Sequence, residues 1–457
     1  MSTRRLENRS QRCEGTLPRR EFLKLGYSTL GGLSLLDLSQ YSCLAGAPQG
    51  IADGKSIIVL WLWGGPSHLE TFDLKPDAPS DYRGEFRPIR TSVPGLEISE
   101  HLPQLAKLGD KFAILRSLHH DSPGHVNSTH TMLTGYPGET VESPPYQPSY
   151  PDIWSVASHV RGPRIPGAPA HIAMPRLRYG GSAHLGGGLD PFVVTVDPNK
   201  KEFRVPNLAI ADTAQKRIAA RRGLVQKFDA VRSHLDHTGV MDSLDDFNRQ
   251  AATLLTSGRV QRAFQLDEED NRVRERYGRH AIGQRCLLAR RLIEAGVRMV
   301  SIDFPCVPGQ KAFSWDDHAS VWNIFEQMKI RLPVLDQVTS ALIKDIYQRG
   351  LDQETLIVVM GEMSHTPRLS NFKGQPGREH WGQTMSVLLS GGGMRMGQAI
   401  GATSAKGDEP QERPMTPNDL LATLYDYLGV PTDLTFPDRF GRPTPILPRG
   451  TPIAELL

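Results

Sequence analysis

Cysteine is scarce in this chain, and a strong imbalance of charge is missing. Only four cysteines occur among 457 residues. A disulfide framework and a cysteine-based zinc site are therefore excluded, although Cys286 and Cys306 are left open as one disulfide or two separate thiols. The net charge is only +3 and the hydrophobic fraction is 39%. This composition indicates neither a nucleic-acid-binding surface nor a disordered chain.

Long apolar runs are missing as well. Beyond the N-terminal residues, no run approaches the roughly 20 apolar residues that a helix needs to cross a bilayer. We therefore expect no transmembrane segment in the mature chain. The length is sufficient for one large α/β core or two smaller domains. The 43 glycines and 35 prolines predict many ordered loops, as expected for a site built from loops on a rigid sheet.

Residues 1–47 have the pattern of an export signal. Arg19-Arg20 is followed by Phe22-Leu23-Lys24, then by an apolar stretch over 25–38 and the small residues Ala45-Gly46-Ala47. This order is similar to the twin-arginine signal, which exports proteins that have already folded. We expect the twin-arginine export machinery as a partner and a periplasmic or extracellular location. A cytoplasmic protein with an incidental arginine pair is the alternative.

Apolar runs and amphipathic segments alternate along the mature chain, residues 48–457. The run Lys55–Trp63 ends in Gly64-Gly65, which is typical of a strand buried on both faces. The alternation predicts a single α/β domain with a doubly wound, mainly parallel sheet, helices on both faces and a helical insertion. The later strands are predicted at 111–116, 192–196, 297–302, 355–360 and 385–389, and the helices within 211–295, 319–349 and 418–428.

Side chains that bind metals adjoin three of these strands. Asp316 and His318 lie in the loop after the strand at 297–302, Glu362 follows the next strand, and His380 precedes the last one. Because ligands bind beyond the carboxyl ends of strands in open α/β sheets, we expect these side chains to converge. Mixed nitrogen and oxygen ligands suit a divalent metal, with Zn or Mn favoured and Mg or Ca as alternatives. For each histidine alone, a structural role is the alternative.

Several segments resemble those of known proteins. The strand 355–359 leading to an acidic residue, followed by His380 and a later strand ending at Gly391, resembles the alkaline phosphatase and sulfatase superfamily. A closer resemblance is to the exported family called domain of unknown function 1501, and it spans about Lys55 to Leu457. The segments that carry this closer resemblance are GGPSHLETFDLKP, MLTGYPG, WDDH, GEMSHTP, REHWGQ and SGGGMRMGQAIGAT.

The superfamily resemblance implies roles for individual residues. Asp316, His318 and His380 correspond to its metal ligands, and Glu362 takes the place of a ligand aspartate. Met363 replaces the histidine that normally follows, so His365 is expected to supply that nitrogen. The first strand ends in two glycines instead of an acid, and Asp73 is the preferred substitute ligand. A helix-cap or Asx-turn role for Asp73 is an equal alternative.

The nucleophile implied by the resemblance is unusual. Superfamily spacing, counted back from Gly135, leads to His125, which lies in the densest histidine cluster of the chain at 119–130. His125 is expected to bind metal or to accept the phosphoryl group itself, with Ser128 and Thr129 as alternative catalytic residues.

Together these features imply an exported metal-dependent hydrolase of phosphate or sulfate esters. Its substrate would be an anionic small-molecule or polysaccharide ester, whose charge a metal site neutralises. The alternative is a non-catalytic extracytoplasmic binding or scaffold protein that retains the fold.

Overall fold

An eight-stranded sheet forms the centre of the computed structural model, which describes residues 54–139, 144, 146–165, 167–205, 258–308, 310 and 312–457. The predicted export signal at 1–47 and the first part of the predicted helical insertion, 211–257, lie outside the described residues. The strands of the central sheet are β1 Ser56–Trp61, β2 Ala113–Leu118, β3 His171–Met174, β4 Phe192–Val193, β5 Met299–Asp303, β6 Thr355–Met360, β7 Met385–Gly391 and β8 Gln398–Ile400.

The sheet is mainly parallel, as the alternation of elements predicts. Its strand order is β8-β2-β7-β6-β1-β5-β3-β4. Five of the strand pairs are parallel, whereas β7 runs antiparallel to both β2 and β6. The carboxyl ends of β1, β3, β5 and β6 therefore meet at one edge, which is the edge where open α/β sheets bind ligands.

Helices cover both faces of this sheet. Alternate residues of β1 point to opposite faces: Ile58 and Leu60 belong to one buried apolar cluster, and Ile57 and Val59 to another. The first cluster includes residues of the helices Ala281–Glu294 and Ile324–Gln348, and the second includes residues of His125–Thr134, Ile153–Arg161 and Pro417–Leu428. The helices are α1 His68–Thr71, α2 Ser80–Arg83, α3 Pro103–Ala106, α4 His125–Thr134, α5 Ile153–Arg161, α6 Gly258–Ala263, α7 Asn271–Tyr277, α8 Ala281–Glu294, α9 Ile324–Gln348 and α10 Pro417–Leu428.

Five short two-stranded antiparallel ladders lie outside the central sheet among the described residues. One of them pairs Ser364–His365 with His380–Trp381, which brings two distant histidines side by side. The other ladders pair Ser370–Phe372 with Gln375–Gly377, Pro88–Arg90 with Glu97–Ser99, Ala402–Thr403 with Pro410–Glu412, and Thr435–Pro437 with Pro443–Pro445.

Several predicted boundaries shift for local reasons. The helix predicted from residue 319 begins at Ile324, because the Asn323 side chain accepts hydrogen bonds from the backbone nitrogens of the first turn. The strand predicted at 192–196 is only Phe192–Val193. Cys286 and Cys306 are both free thiols, so the disulfide alternative is wrong. Among the described residues, no helix combines the length and apolar character that a membrane span requires.

Candidate metal centre

The Asp316 carboxylate lies at the centre of a group of four imidazoles. Its Oδ1 is 2.7 Å from Nε2 of His318, 3.1 Å from Nε2 of His380 and 3.3 Å from Nε2 of His365. Its Oδ2 is 3.3 Å from Nε2 of His125. We call these five side chains the Asp316 cluster. Four nitrogens from separate parts of the chain therefore point at one carboxyl group.

The fold brings these side chains together at the carboxyl edge of the sheet. His125 is the first residue of α4, and Asp316 and His318 lie in the loop after β5. His365 and His380 face each other across their short ladder. The His380 ring lies 4.4 Å from the His125 ring and 4.7 Å from the His318 ring, measured between centroids. The convergence expected from strand positions is thus present in the structure.

Glu362, directly after β6, adds a second carboxylate. Its Oε1 accepts hydrogen bonds from the backbone nitrogen of Gly64 at 2.8 Å and from Nδ1 of His125 at 2.9 Å. The side chain is fully buried, and its Oε2 has no hydrogen-bond partner among the described residues. His125 therefore bridges Asp316 and Glu362, and one buried carboxylate oxygen is left unsatisfied.

The charges in this group perturb one another strongly. Burial opposes protonation of His125, but its hydrogen bonds to Asp316 and Glu362 raise its pKa to about 10. The hydrogen bond to Asp316 raises the pKa of His318 to about 9. Although burial acts in the other direction, hydrogen bonds from the imidazoles hold the pKa of Asp316 well below its usual range. At neutral pH the ionised carboxylate thus retains protons on neighbouring imidazoles, and a bound cation would replace those protons.

The donor set suits a divalent cation. Ligand atoms of His125, Asp316 and His380 lie within 4.8 Å of one another. No lysine or arginine contacts the carboxylates of Asp316 or Glu362 within the part of the chain that the structure describes. In the same described ranges, the buried Nδ1 of His365 and Oε2 of Glu362 also lack hydrogen-bond partners. Buried carboxylates need a positive partner, and imidazole with carboxylate is a ligand set for Zn, Mn or Fe.

A further set of contacts orients the histidines. Nδ1 of His318 hydrogen-bonds to the Glu379 carboxylate, and Nδ1 of His380 donates to the Pro123 carbonyl at 3.2 Å. In both rings the other nitrogen, Nε2, is the atom that faces Asp316. Such outer partners fix the ring orientation of metal-binding histidines in many proteins.

Arg378 connects the loops around the Asp316 cluster through hydrogen bonds. Its guanidinium is fully buried and donates to the Glu70 carboxylate at 2.7 Å, the Tyr82 carbonyl at 2.8 Å and the Thr366 carbonyl at 3.0 Å. Its backbone nitrogen donates to the carbonyl of Asp317, next to Asp316, at 3.0 Å. The segments that carry His318, His365 and His380 are therefore held by one buried arginine.

The structure does not bring Asp73, the predicted substitute for a missing acid ligand, into contact with the Asp316 cluster. The Asp73 carboxylate accepts a hydrogen bond from Thr403 and pairs with Lys75 at 3.1 Å, which leaves it outside the Asp316 cluster. The first strand also has no room for an acid at its end. A Cβ on Gly64, whose φ is +104°, would lie 2.6 Å from the backbone nitrogen of Asp316.

The alternative nucleophiles Ser128 and Thr129 do not reach the cluster either. Both are fully buried in α4. The Ser128 hydroxyl donates to the Ser122 carbonyl at 3.0 Å, and the Thr129 hydroxyl has no hydrogen-bond partner in the described part of the chain. The helix presents His125, at its first residue, to the site and turns these later residues into the core.

Two residues of the site were not assigned a role from the sequence. Glu379 lies beside His380 in the REHWGQ segment, where its acidic side chain next to a candidate ligand was the available signal. His120 belongs to the histidine cluster, and its Nε2 lies 2.8 Å from the backbone carbonyl of Glu362. Only the folded structure shows which neighbours these two side chains serve.

Fold and site together define an α/β protein with a candidate divalent-metal centre at the carboxyl edge of its sheet. The chain belongs to the family described as "Protein of unknown function (DUF1501)", which matches residues 54–457. No curated protein gives a significant match. The family resemblance expected from the six segments is therefore confirmed.

Solved structures with a similar fold include a sulfatase, a lipoteichoic acid synthase and a phosphonate monoester hydrolase. The PsFucS1 sulfatase from Pseudoalteromonas sp. has 12% identity and a TM-score of 0.36, covering 91% of this chain and 72% of its own. The lipoteichoic acid synthase LtaP from Listeria monocytogenes has 8% identity and a TM-score of 0.35, covering 83% and 73%. The phosphonate monoester hydrolase SpPMH from Silicibacter pomeroyi has 10% identity and a TM-score of 0.32, covering 83% and 74%. Because all three TM-scores are below 0.5, the chemistry of this chain has to be argued from its own residues.

Proposed function

We propose that this chain is an exported, metal-dependent hydrolase of phosphate or sulfate esters. The observation that carries the proposal is the Asp316 carboxylate with four imidazole nitrogens within 3.3 Å and no lysine or arginine partner among the described residues. A purely structural carboxylate at this depth is expected to pair with a fixed cation. The Asp316 cluster instead offers ligand atoms for a metal, with Zn or Mn favoured.

The chemistry that a divalent cation supplies in such a site is neutralisation of ester charge and activation of water. Asp316, His125 and His380 would hold it, and Glu362 would add its free oxygen. Glu379 keeps Nδ1 of His318 engaged, so that Nε2 faces the centre. Both nitrogens of His125 are in use, on Asp316 and on Glu362. His125 is therefore a holding residue in this arrangement, and an activated water is the attacking group.

The site is open enough for substrate. The side chains of His380, Asp316 and His318 are 27%, 21% and 20% exposed, whereas His365 and Glu362 are fully buried. One side of the cluster is thus set in the protein and the other faces solvent. An anionic ester, either a small molecule or the end of a polysaccharide, can approach from that open side.

A direct test combines metal analysis with hydrolysis. We expect the purified protein to bind Zn or Mn and to hydrolyse an aryl phosphate or aryl sulfate, and we expect EDTA to abolish the activity until metal is restored. Protein that takes up neither metal and hydrolyses neither ester after both have been added would contradict the proposal.

A second candidate is a non-catalytic metal-containing binding protein. It is favoured by one observation: no serine, threonine or cysteine side chain contacts the Asp316 carboxylate, the Glu362 carboxylate or the His125 ring in the described ranges. This candidate predicts stoichiometric metal without hydrolysis of either ester. The same two measurements therefore separate the two functions.

A further inference from the structure

Arg178 lies beside the Asp316 cluster, separated from it by one indole. It follows β3, whose carboxyl end is at the same edge of the sheet as those of β1 and β6. Its guanidinium carbon is 4.3 Å from the centroid of the Trp63 ring, and the Trp63 ring is 4.9 Å from the His125 ring. A substrate bound at the cluster therefore has Arg178 within reach of its next substituent.

The hydrogen bonds of Arg178 leave most of its donors unused. Its Nε lies 3.0 and 3.1 Å from the two oxygens of Asp303, which is 2% exposed. Its two terminal nitrogens have no acceptor among the described residues, although the side chain is only 18% exposed. The Asp303 and Trp63 contacts thus fix the guanidinium while its terminal N–H groups remain available.

A neighbouring arginine adds positive charge at the same place. Nε of Arg176 is 3.9 Å from the Asp303 carboxylate, and its side chain is 62% exposed. Two guanidinium groups therefore share one carboxylate, and one positive charge is left over. Such a surplus beside a candidate ester site favours an anion.

Two arginines that hold loops of this fold together, Arg378 and Arg116, use more of their donors. All three guanidinium nitrogens of Arg378 donate to protein oxygens. In Arg116, Nε donates to the Phe72 carbonyl and one terminal nitrogen donates to the Glu97 carbonyl. The terminal nitrogens of Arg178, by contrast with those two, find no acceptor in the part of the chain that the structure describes, which leaves them available to a ligand.

We propose that Arg178, assisted by Arg176, is a subsite for a second anionic group of the substrate. The preferred substrates are then esters that carry a further sulfate, phosphate or carboxylate group close to the scissile one. This inference rests on the proposed function, since it names the class of ester that the same site accepts. The planar guanidinium suits such groups because it donates two parallel hydrogen bonds.

The test is a binding comparison that needs no turnover. Benzenesulfonate and meta-benzenedisulfonate are titrated into the purified protein by calorimetry. We expect the disulfonate to bind roughly tenfold more tightly, which is the worth of one charged hydrogen-bonding group. The variant R178Q should bind both probes about equally. Equal binding by the unmodified protein, or an undiminished preference in R178Q, would overturn the proposal.

Two further variants serve as controls for the binding comparison. R368Q removes an arginine that is 72% exposed and pairs with Asp81, and it should keep the full preference for the disulfonate. R178K keeps a charge opposite Asp303, so it remains informative if R178Q does not fold. It should lose part of the preference because the ammonium cannot donate two parallel hydrogen bonds.

Hydrolysis of para-nitrophenyl phosphate, which has no second anionic group, separates this inference from the proposed function. Absence of that hydrolysis counts against the function, whereas the calorimetric comparison alone decides the subsite. If the unmodified protein hydrolyses para-nitrophenyl phosphate and R178Q loses the disulfonate preference, both stand.

Discussion

Two groups of charged side chains in this molecule are built differently. The first is the Asp316 cluster. The second, which we call the Arg290 network, joins α8, α9 and the segment before α7, where Arg290 pairs with Glu269 at 2.7 Å, Glu294 at 2.7 Å and Asp345 at 2.9 Å. Arg349 pairs with Asp345 at 2.7 Å as well. In the Arg290 network, permanently charged arginines pair with the carboxylates. In the Asp316 cluster, only titratable imidazoles do.

The difference shows which of the two groups has its carboxylates neutralised without a bound ion. Arginine stays charged in every relevant condition, so the Arg290 network is neutralised as soon as the helices pack. Imidazole is charged only when protonated, and its proton is exchanged for a metal readily. We therefore expect the Arg290 network to contribute to folding and the Asp316 cluster to contribute to binding. The following variants test that division.

The largest effect is expected for D316N. The amide keeps the size of the side chain but removes the charge that four imidazoles share. We expect bound Zn or Mn to be lost and ester hydrolysis to fall at least about a hundredfold, beyond the effect known for outer-shell partners of metal ligands. Metal content is measured on folded protein of unchanged circular dichroism. A D316N protein that keeps its metal would contradict the expected metal-binding role of the Asp316 cluster.

The matched variant in the other group is D345N. Asp345 also accepts a hydrogen bond from the Tyr277 hydroxyl at 2.9 Å, so the amide disrupts several buried contacts. We expect the free energy of unfolding to fall by about 3 kcal/mol, as when one partner of a buried ion pair is removed. Metal content per folded molecule should not change. Denaturant titration and elemental analysis of the same sample check both statements.

E379Q tests the contact that orients His318 within the Asp316 cluster. The amide weakens the hydrogen bond that orients His318, while the ligand atoms stay in place. We expect metal affinity to fall roughly 10–100-fold, with little change in stability of the metal-free protein. Competition with a chelating dye measures that affinity. An unchanged affinity would mean that the ring orientation of His318 does not depend on Glu379.

His171 extends the comparison to a histidine with a structural role. It is buried in β3, where Nε2 lies 2.8 Å from the Ser301 hydroxyl, and burial lowers its pKa to about 3. The unfolded chain binds a proton below its ordinary pKa near 6.5, whereas the folded chain does so only near 3. Stability is therefore lost as the pH falls between these values. H171Q should remove about 2 kcal/mol of the loss between roughly pH 7 and pH 5. Parallel stability curves of the two proteins would contradict this.

Sequence patterns predict the framework of the fold well. The strand at Thr355–Met360 has the predicted bounds, because the apolar run 356–360 is preceded by polar and charged residues and followed by Gly361. The antiparallel direction of β7 has no such signal, since a buried run reads the same in either direction. It depends on how the chain returns through the ladder at His380–Trp381.

For the candidate site, the sequence predicts only that residues next to strand ends lie close together. Asp316, His318, Glu362 and His380 meet because each adjoins a strand of one sheet. Asp73 contacts Lys75 and Thr403 instead, because loop packing decides its partners and leaves no periodic trace in the sequence. The paired histidines 365 and 380 likewise depend on a two-residue ladder that is too short to recognise beforehand.

The most direct measurement is anomalous diffraction from crystals of the purified protein soaked in Zn or Mn. We expect a peak within about 2.0–2.2 Å of a carboxylate oxygen of Asp316 and of Nε2 of His380. A map with metal bound elsewhere, and with the four imidazoles still closed on an unligated Asp316, would contradict this expectation.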